Sequence, residues 1–234
     1  MSLIFCVRAR STKNRLQWWL SCAEQLTAVV QTIIEFAKLI PGFMKLQQDD
    51  QIMLLKGGAF ELALIRMSQL YDIDQDSVLY AGTYLPISFF QSDDPTEQLF
   101  ISKIFALVKD LSSCYLSENE IALYSAMVLM SPSRSGIKNV DMCATAASVC
   151  RRATRSGIKN VEHVRDCSER LQECLAVELR QTHPHDVTLM SRLSSRVGML
   201  SDLAALHVDV LTRFTKMGSV ELPALYKELF VGDL

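Results

Sequence analysis

No two cysteines in this sequence are spaced Cys-x-x-Cys, although there are seven of them. That absence excludes the four-cysteine zinc modules that read DNA, so the chain is not expected to bind DNA directly. An odd number of cysteines without a secretory leader also argues for reduced thiols in an intracellular protein. The first residues, Met1 to Val7, are too short for a signal-peptide core and run into Arg8, Arg10, Lys13 and Arg15, a small basic arm. There is no long apolar run either. The longest uncharged stretch, Ser77 to Ser92, is broken by Gly82 and Pro86 and falls short of a membrane span. No charge excess exists to draw the chain to nucleic acid or an anionic surface, since 24 Lys and Arg face 26 Asp and Glu. His-Glu-x-x-His, a Gly-rich phosphate loop and a Ser/His/Asp order are all missing, so no enzymatic activity, metal or cofactor is expected. His183, His185 and Asp186 lack a third spaced ligand and read as a polar connection between helices.

What the chain does have is helical periodicity. With 234 residues, 49% of them hydrophobic, it can bury one sizeable core and reads as one domain. Leu26, Val29, Val30, Ile33, Ile34 and Ala37 recur at helical spacing to about Lys38, and Pro41-Gly42 stops that helix. Asp49 or Asp50 is expected to cap the next helix, whose interior from Ile52 to Arg66 is apolar enough to be buried on most sides. Lys38 and Lys56 then lie near one corner. Val78-Leu79-Tyr80 and Thr83-Tyr84-Leu85 read as a small hairpin after a turn rich in Asp. Asp93 or Asp94 before Pro95 starts a helix, and Ser117 with Glu120 forms a capping box for another.

Arg134-Ser135-Gly136-Ile137-Lys138-Asn139-Val140 recurs as Arg155-Ser156-Gly157-Ile158-Lys159-Asn160-Val161. Two copies cannot build a solenoid, so residues 141–161 read as a loop insertion, its Cys143, Cys150, Arg151 and Arg152 included. Two long helical patterns follow, one from Glu162 and one from Val187 to about Lys216. Near the end Leu222, Leu225, Tyr226, Leu229 and Phe230 form an i, i+3, i+4, i+7, i+8 stripe with Lys227 and Glu228 off it.

The order Phe36-Ala37-Lys38, Gly42-Phe43, Leu46, Asp50-Gln51 and Leu54-Leu55-Lys56 resembles the signature of the nuclear hormone receptor ligand-binding domain. Leu225-Tyr226-Lys227-Glu228-Leu229-Phe230 resembles that family's activation helix, in wording similar to the retinoid-related orphan receptors and their invertebrate moult-associated relatives. The resemblance covers roughly Trp19 to Phe230 apart from the insertion, which sets a domain at 19–234, an arm at 1–18 and the activation helix at 222–230. It implies an all-α, three-layer antiparallel helical sandwich with one small β-hairpin. The family's first helix is missing from the pattern, which implies an uncovered apolar face and either a shortened isoform or a partial sequence.

By resemblance, the domain regulates transcription in the nucleus, with some in the cytoplasm, by docking coactivator or corepressor helices. Lys38 and Glu228 would clamp the two ends of a Leu-x-x-Leu-Leu helix, Lys56 would assist Lys38, and Ile52, Leu55 and Leu225 would line the groove. Cys22, Leu26, Val29, Arg66, Met67, Tyr80, Phe89, His207 and Tyr226 fall where pocket residues lie, for a sterol-like or other lipophilic ligand. Arg66, on an apolar helix, is expected to be buried and to need a polar partner. Gln69 stands where those receptors carry a second Arg, which disfavours an acidic ligand head. A His207 to Tyr226 bond would hold the activation helix closed. The alternative is an isoform without DNA-binding modules that titrates coactivators or receptor partners. A monomer or weak dimer with no membrane association is expected.

Overall fold

A computed structural model describes residues 12–80, 82–132, 160–216 and 222–231. In chain order these form α1 (Thr12–Leu39), a 3-10 turn (Phe43–Lys45), α2 (Gln48–Ser68), β1 (Tyr71–Asp72), β2 (Ser77–Tyr80), β3 (Thr83–Pro86), a second 3-10 turn (Ile87–Phe89), α3 (Pro95–Ser112), α4 (Glu118–Leu129), α5 (Val161–Thr182) and α6 (Leu189–Lys216). A short C-terminal helix, α7, begins at Ala224–Tyr226 and continues as a π-helical turn over Lys227–Val231. Apart from its last two residues, the expected insertion at 141–161 lies outside the described residues.

α2 is apolar on nearly all sides because it is the middle of the sandwich. α1, α3, α4, α6 and the π turn of α7 all pack on it. Leu54 is buried, and so is every residue from Gly58 to Ile65, leaving that second half of the helix no solvent face to carry charge. α4 packs on α5, and α3 on α6, which closes the outer layers.

Helix ends follow local chemistry. Asp94 caps α3 by accepting from the Thr96 and Glu97 amides, with Pro95 in the first turn. Ser117 and Glu120 form the expected capping box at α4. Glu120 is fully buried and also accepts from Thr182 at the end of α5, with His183 Nε2 at 3.3 Å. Burial pushes the Glu120 pKa up, but these bonds outweigh it and the net displacement is downward.

Three expectations change. α1 begins at Thr12, inside the stretch read as an arm, because the helix continues upstream of the apolar stripe that signalled it. Neither Asp49 nor Asp50 caps α2: the cap position is Gln47, without a side-chain bond, and both acids lie in the first turn. Asp50 is instead 1% exposed and accepts from the Asn160 amide, so it ties the start of α5 to α2. The hairpin gains a third strand, giving an antiparallel sheet in the order β1-β2-β3 with Tyr71 opposite Val78 and Val78 opposite Leu85. Two residues of β1 are too few to show a period of two. Among the described residues no helix is long and apolar enough to cross a membrane.

Candidate functional site

The corner between α1 and α2 is set by two residues. Pro41 cannot continue the ladder, and Gly42 takes φ +95°, a left-handed conformation that L side chains rarely adopt. The chain turns through Phe43, which is buried, and the Phe43 amide donates to Ile40 O at 3.1 Å. Gly42 also meets α5: His163 Nε2 lies 3.1 Å from Gly42 O, with Cys167 Sγ 3.7 Å from the same nitrogen. A Cβ at Gly42 would come within 2.6 Å of that sulfur.

Lys38 occupies the last turn of α1, exposed, with Nζ 2.6 Å from Glu35 Oε1. On α2, Ile52 and Leu55 are half-buried and Lys56 is exposed, positions that share one face at i, i+3, i+4 spacing. α7 packs on α1, and its π turn packs on α2 and α6. Leu222, Tyr226 and Phe230 are buried, Leu225 and Leu229 half-buried, and Lys227 and Glu228 exposed. Three elements therefore present partly exposed apolar side chains with exposed charges around them.

α7 is held from beneath. His207 Nε2 lies 2.9 Å from Tyr226 Oη, and His207 is 2% exposed. Its ring stacks on Phe60 at 4.1 Å between centroids with planes 8° apart, and Phe230 meets it edge-on at 5.1 Å. Burial alone lowers the His207 pKa to about 3, so the ring is neutral at ordinary pH. Nδ1 has no hydrogen-bond partner. A proton on Nε2, donated to Tyr226, leaves only a lone pair unmet at Nδ1, the less costly of the two tautomers.

Of the other expected ligand residues, Leu26, Val29 and Met67 are buried in the core. Tyr80 and Phe89 are half-buried and both meet the Phe90 ring, at 6.4 and 5.6 Å. The side chain of Cys22 lies outside the described residues. Arg66 corrects an expectation: its side chain is exposed, on the one side of the last turn of α2 that it shares with Gln69, while Ile65, Met67 and Ser68 beside it are buried. A surface cleft of about 450 Å³, lined in part by Tyr71, Phe90, Phe105 and Lys109, contains none of the expected ligand residues. Among the described residues no three His, Cys, Asp or Glu side chains are grouped to hold a metal ion. His183 instead contacts Glu120, and Asp186 accepts from Thr188 and Arg192.

Sequence reasoning missed Phe60 and Phe230 as the walls around His207, and the Glu35 partner of Lys38. Only the last carried a readable signal, an acid three residues before the cation.

Comparison with known proteins agrees with this geometry. A family model described as the ligand-binding domain of nuclear hormone receptor matches residues 21–207. The chain is 40% identical over 219 residues to the probable nuclear hormone receptor HR3 of Drosophila melanogaster, covering 92% of this chain and 41% of that protein. It is 32% identical over 234 residues to the nuclear receptor ROR-beta of Rattus norvegicus, covering 97% of this chain and 44% of that protein. The nuclear hormone receptor E75 of Metapenaeus ensis is 28% identical over 192 residues, which is 82% of this chain and 28% of that receptor. The chain thus spans less than half the length of these relatives.

Proposed function

The chain belongs to the family of nuclear hormone receptor ligand-binding domains, and on that premise we propose that it regulates transcription in the nucleus by docking Leu-x-x-Leu-Leu helices of coactivators across α1, α2 and α7. A short amphipathic helix buries its leucines in an apolar groove and leaves unmet amides at one end and unmet carbonyls at the other. Ile52, Leu55 and Leu225, all half-buried, suit the leucines. Lys38, assisted by Lys56, suits the carbonyls, and Glu228 suits the amides.

The observation that carries the reading is the His207 to Tyr226 bond, a contact within the chain itself that fixes α7 against the body of the domain. A coregulator surface formed in this way does not wait for a ligand. A lipophilic molecule lodged among Leu26, Val29, Met67, Tyr80 and Phe89 then acts by shifting the population of the closed helix. Exposure of Arg66 and the presence of Gln69 favour a ligand with a neutral head over an acidic one.

The test is fluorescence anisotropy of a labelled Leu-x-x-Leu-Leu peptide with the purified chain. Lys38→Ala and Glu228→Ala are each expected to weaken binding at least about tenfold, the range of a lost hydrogen bond to a charged group. Binding indifferent to both changes would contradict the reading.

A further inference from the structure

The cation at the end of α1 already has a partner. Lys38 Nζ lies 2.6 Å from Glu35 Oε1, one turn back on the same helix. Both side chains stand in solvent, at 47% and 72% of full exposure. An exposed i, i+3 pair is weak and screened by salt, so it gives way readily to a competitor. The converging carbonyls of a docked helix C-terminus are such a competitor, because they bring partial negative charge and unmet hydrogen bonds.

We propose that Glu35 selects the partner: when Lys38 turns to a docked helix, the Glu35 carboxylate is left beside that helix's C-terminal end and favours partners carrying Lys or Arg directly after Leu-x-x-Leu-Leu. This rests on the docking surface proposed above and adds the charge of the segment that follows the leucines.

The distribution of charge around the corner fits. Glu35 is the only acidic residue between Val30 and Leu39. Asp50 is turned inward onto the Asn160 amide. Lys45, across the Pro41-Gly42 turn, acts electrostatically on the Cys167 thiol of α5. Asp49, exposed at the start of α2, is another acid near the corner and serves as the control.

The experiment uses three peptides that differ only in the two residues after the last leucine: Lys-Lys, Gln-Gln or Glu-Glu. Each is titrated into the wild-type chain, Glu35→Gln, Asp49→Asn and Lys38→Ala, at about 20 mM and about 300 mM salt. The wild type is expected to bind Lys-Lys about two- to fivefold more tightly than Gln-Gln at low salt, and Glu-Glu more weakly than either, with the margins shrinking at high salt. Glu35→Gln is expected to abolish the Lys-Lys margin while binding Gln-Gln at least as tightly as the wild type, and Asp49→Asn to keep the margin.

A margin that survives Glu35→Gln overturns the inference, as does a wild type that binds Lys-Lys and Gln-Gln equally. If Lys38→Ala weakens Gln-Gln binding but no cation margin exists, only the role of Glu35 falls. If Gln-Gln does not bind, or binds regardless of Lys38→Ala, the docking surface itself is refuted and Glu35 with it.

Discussion

His207 and Tyr226, nineteen positions apart in sequence, meet at 2.9 Å between Nε2 and Oη inside a cage formed by Phe60, Phe100 and Phe230. A neutral imidazole buried this fully has a folded pKa of about 3 against an ordinary value of 6.5. The unfolded chain therefore binds a proton below about pH 6.5 that the folded chain refuses until about pH 3. Stability from this group is complete above pH 6.5 and falls with pH through that window, at a limiting slope of about 1.4 kcal/mol per unit. Urea midpoints measured from pH 7.5 to pH 5 should decline in the wild type and decline less in His207→Gln.

Glu120 acts in a lower window. Its lowered pKa means that its stabilising bonds are present above the ordinary carboxylate value of 4.5 and are lost as the folded group protonates. Glu120→Gln should flatten the stability profile below about pH 4.5, as read by urea midpoints.

At Gly42 two penalties coincide. An alanine there must hold φ +95° and place its Cβ 2.6 Å from Cys167 Sγ. Gly42→Ala is expected to cost about 1–3 kcal/mol, measured by urea denaturation. Adding Cys167→Ala should recover the part due to the clash and leave the part due to the backbone.

Arg196 on α6 is 5% exposed and binds Asp110 on α3 through both guanidinium nitrogens facing it, Nη2 to Oδ1 at 2.6 Å. The bond to Asp110 raises the Arg196 pKa, and a guanidinium is basic enough to keep its charge even when that partner is removed. Asp110→Ala should destabilise by about 3 kcal/mol. Arg196→Met should cost less, because the Asp110 side chain, 43% exposed, can turn to water. Chemical denaturation of the two variants decides the order.

Helix positions were legible wherever one residue type has one physical role at a helix end. Pro41-Gly42, Asp94-Pro95 and the Ser117/Glu120 box each announce themselves without knowledge of the fold. The apolar stripe of α7 was legible for the same reason, since Leu222, Tyr226 and Phe230 lie on its buried side. Arg66 was misjudged because an apolar helix implies burial all round, whereas the last turn of α2 leaves one side, that of Arg66 and Gln69, open to solvent. Asp50 was read locally as a cap, but its partner is Asn160, 110 residues away, a contact no local pattern can signal. Phe60 was invisible as a wall for His207 because α2 is apolar on nearly all sides, and an aromatic there has no distinguishing period.

The central proposal is that the His207 to Tyr226 bond holds α7 closed by itself, with no ligand required. The direct measurement is amide hydrogen exchange across Leu225 to Phe230 in the ligand-free chain, compared with Tyr226→Phe. The account predicts protection well above that of an unfolded peptide in the wild type, reduced about two- to tenfold in the variant, the worth of one ordinary hydrogen bond. Exchange at unfolded-chain rates in the ligand-free wild type, or protection identical in the two chains, would contradict it.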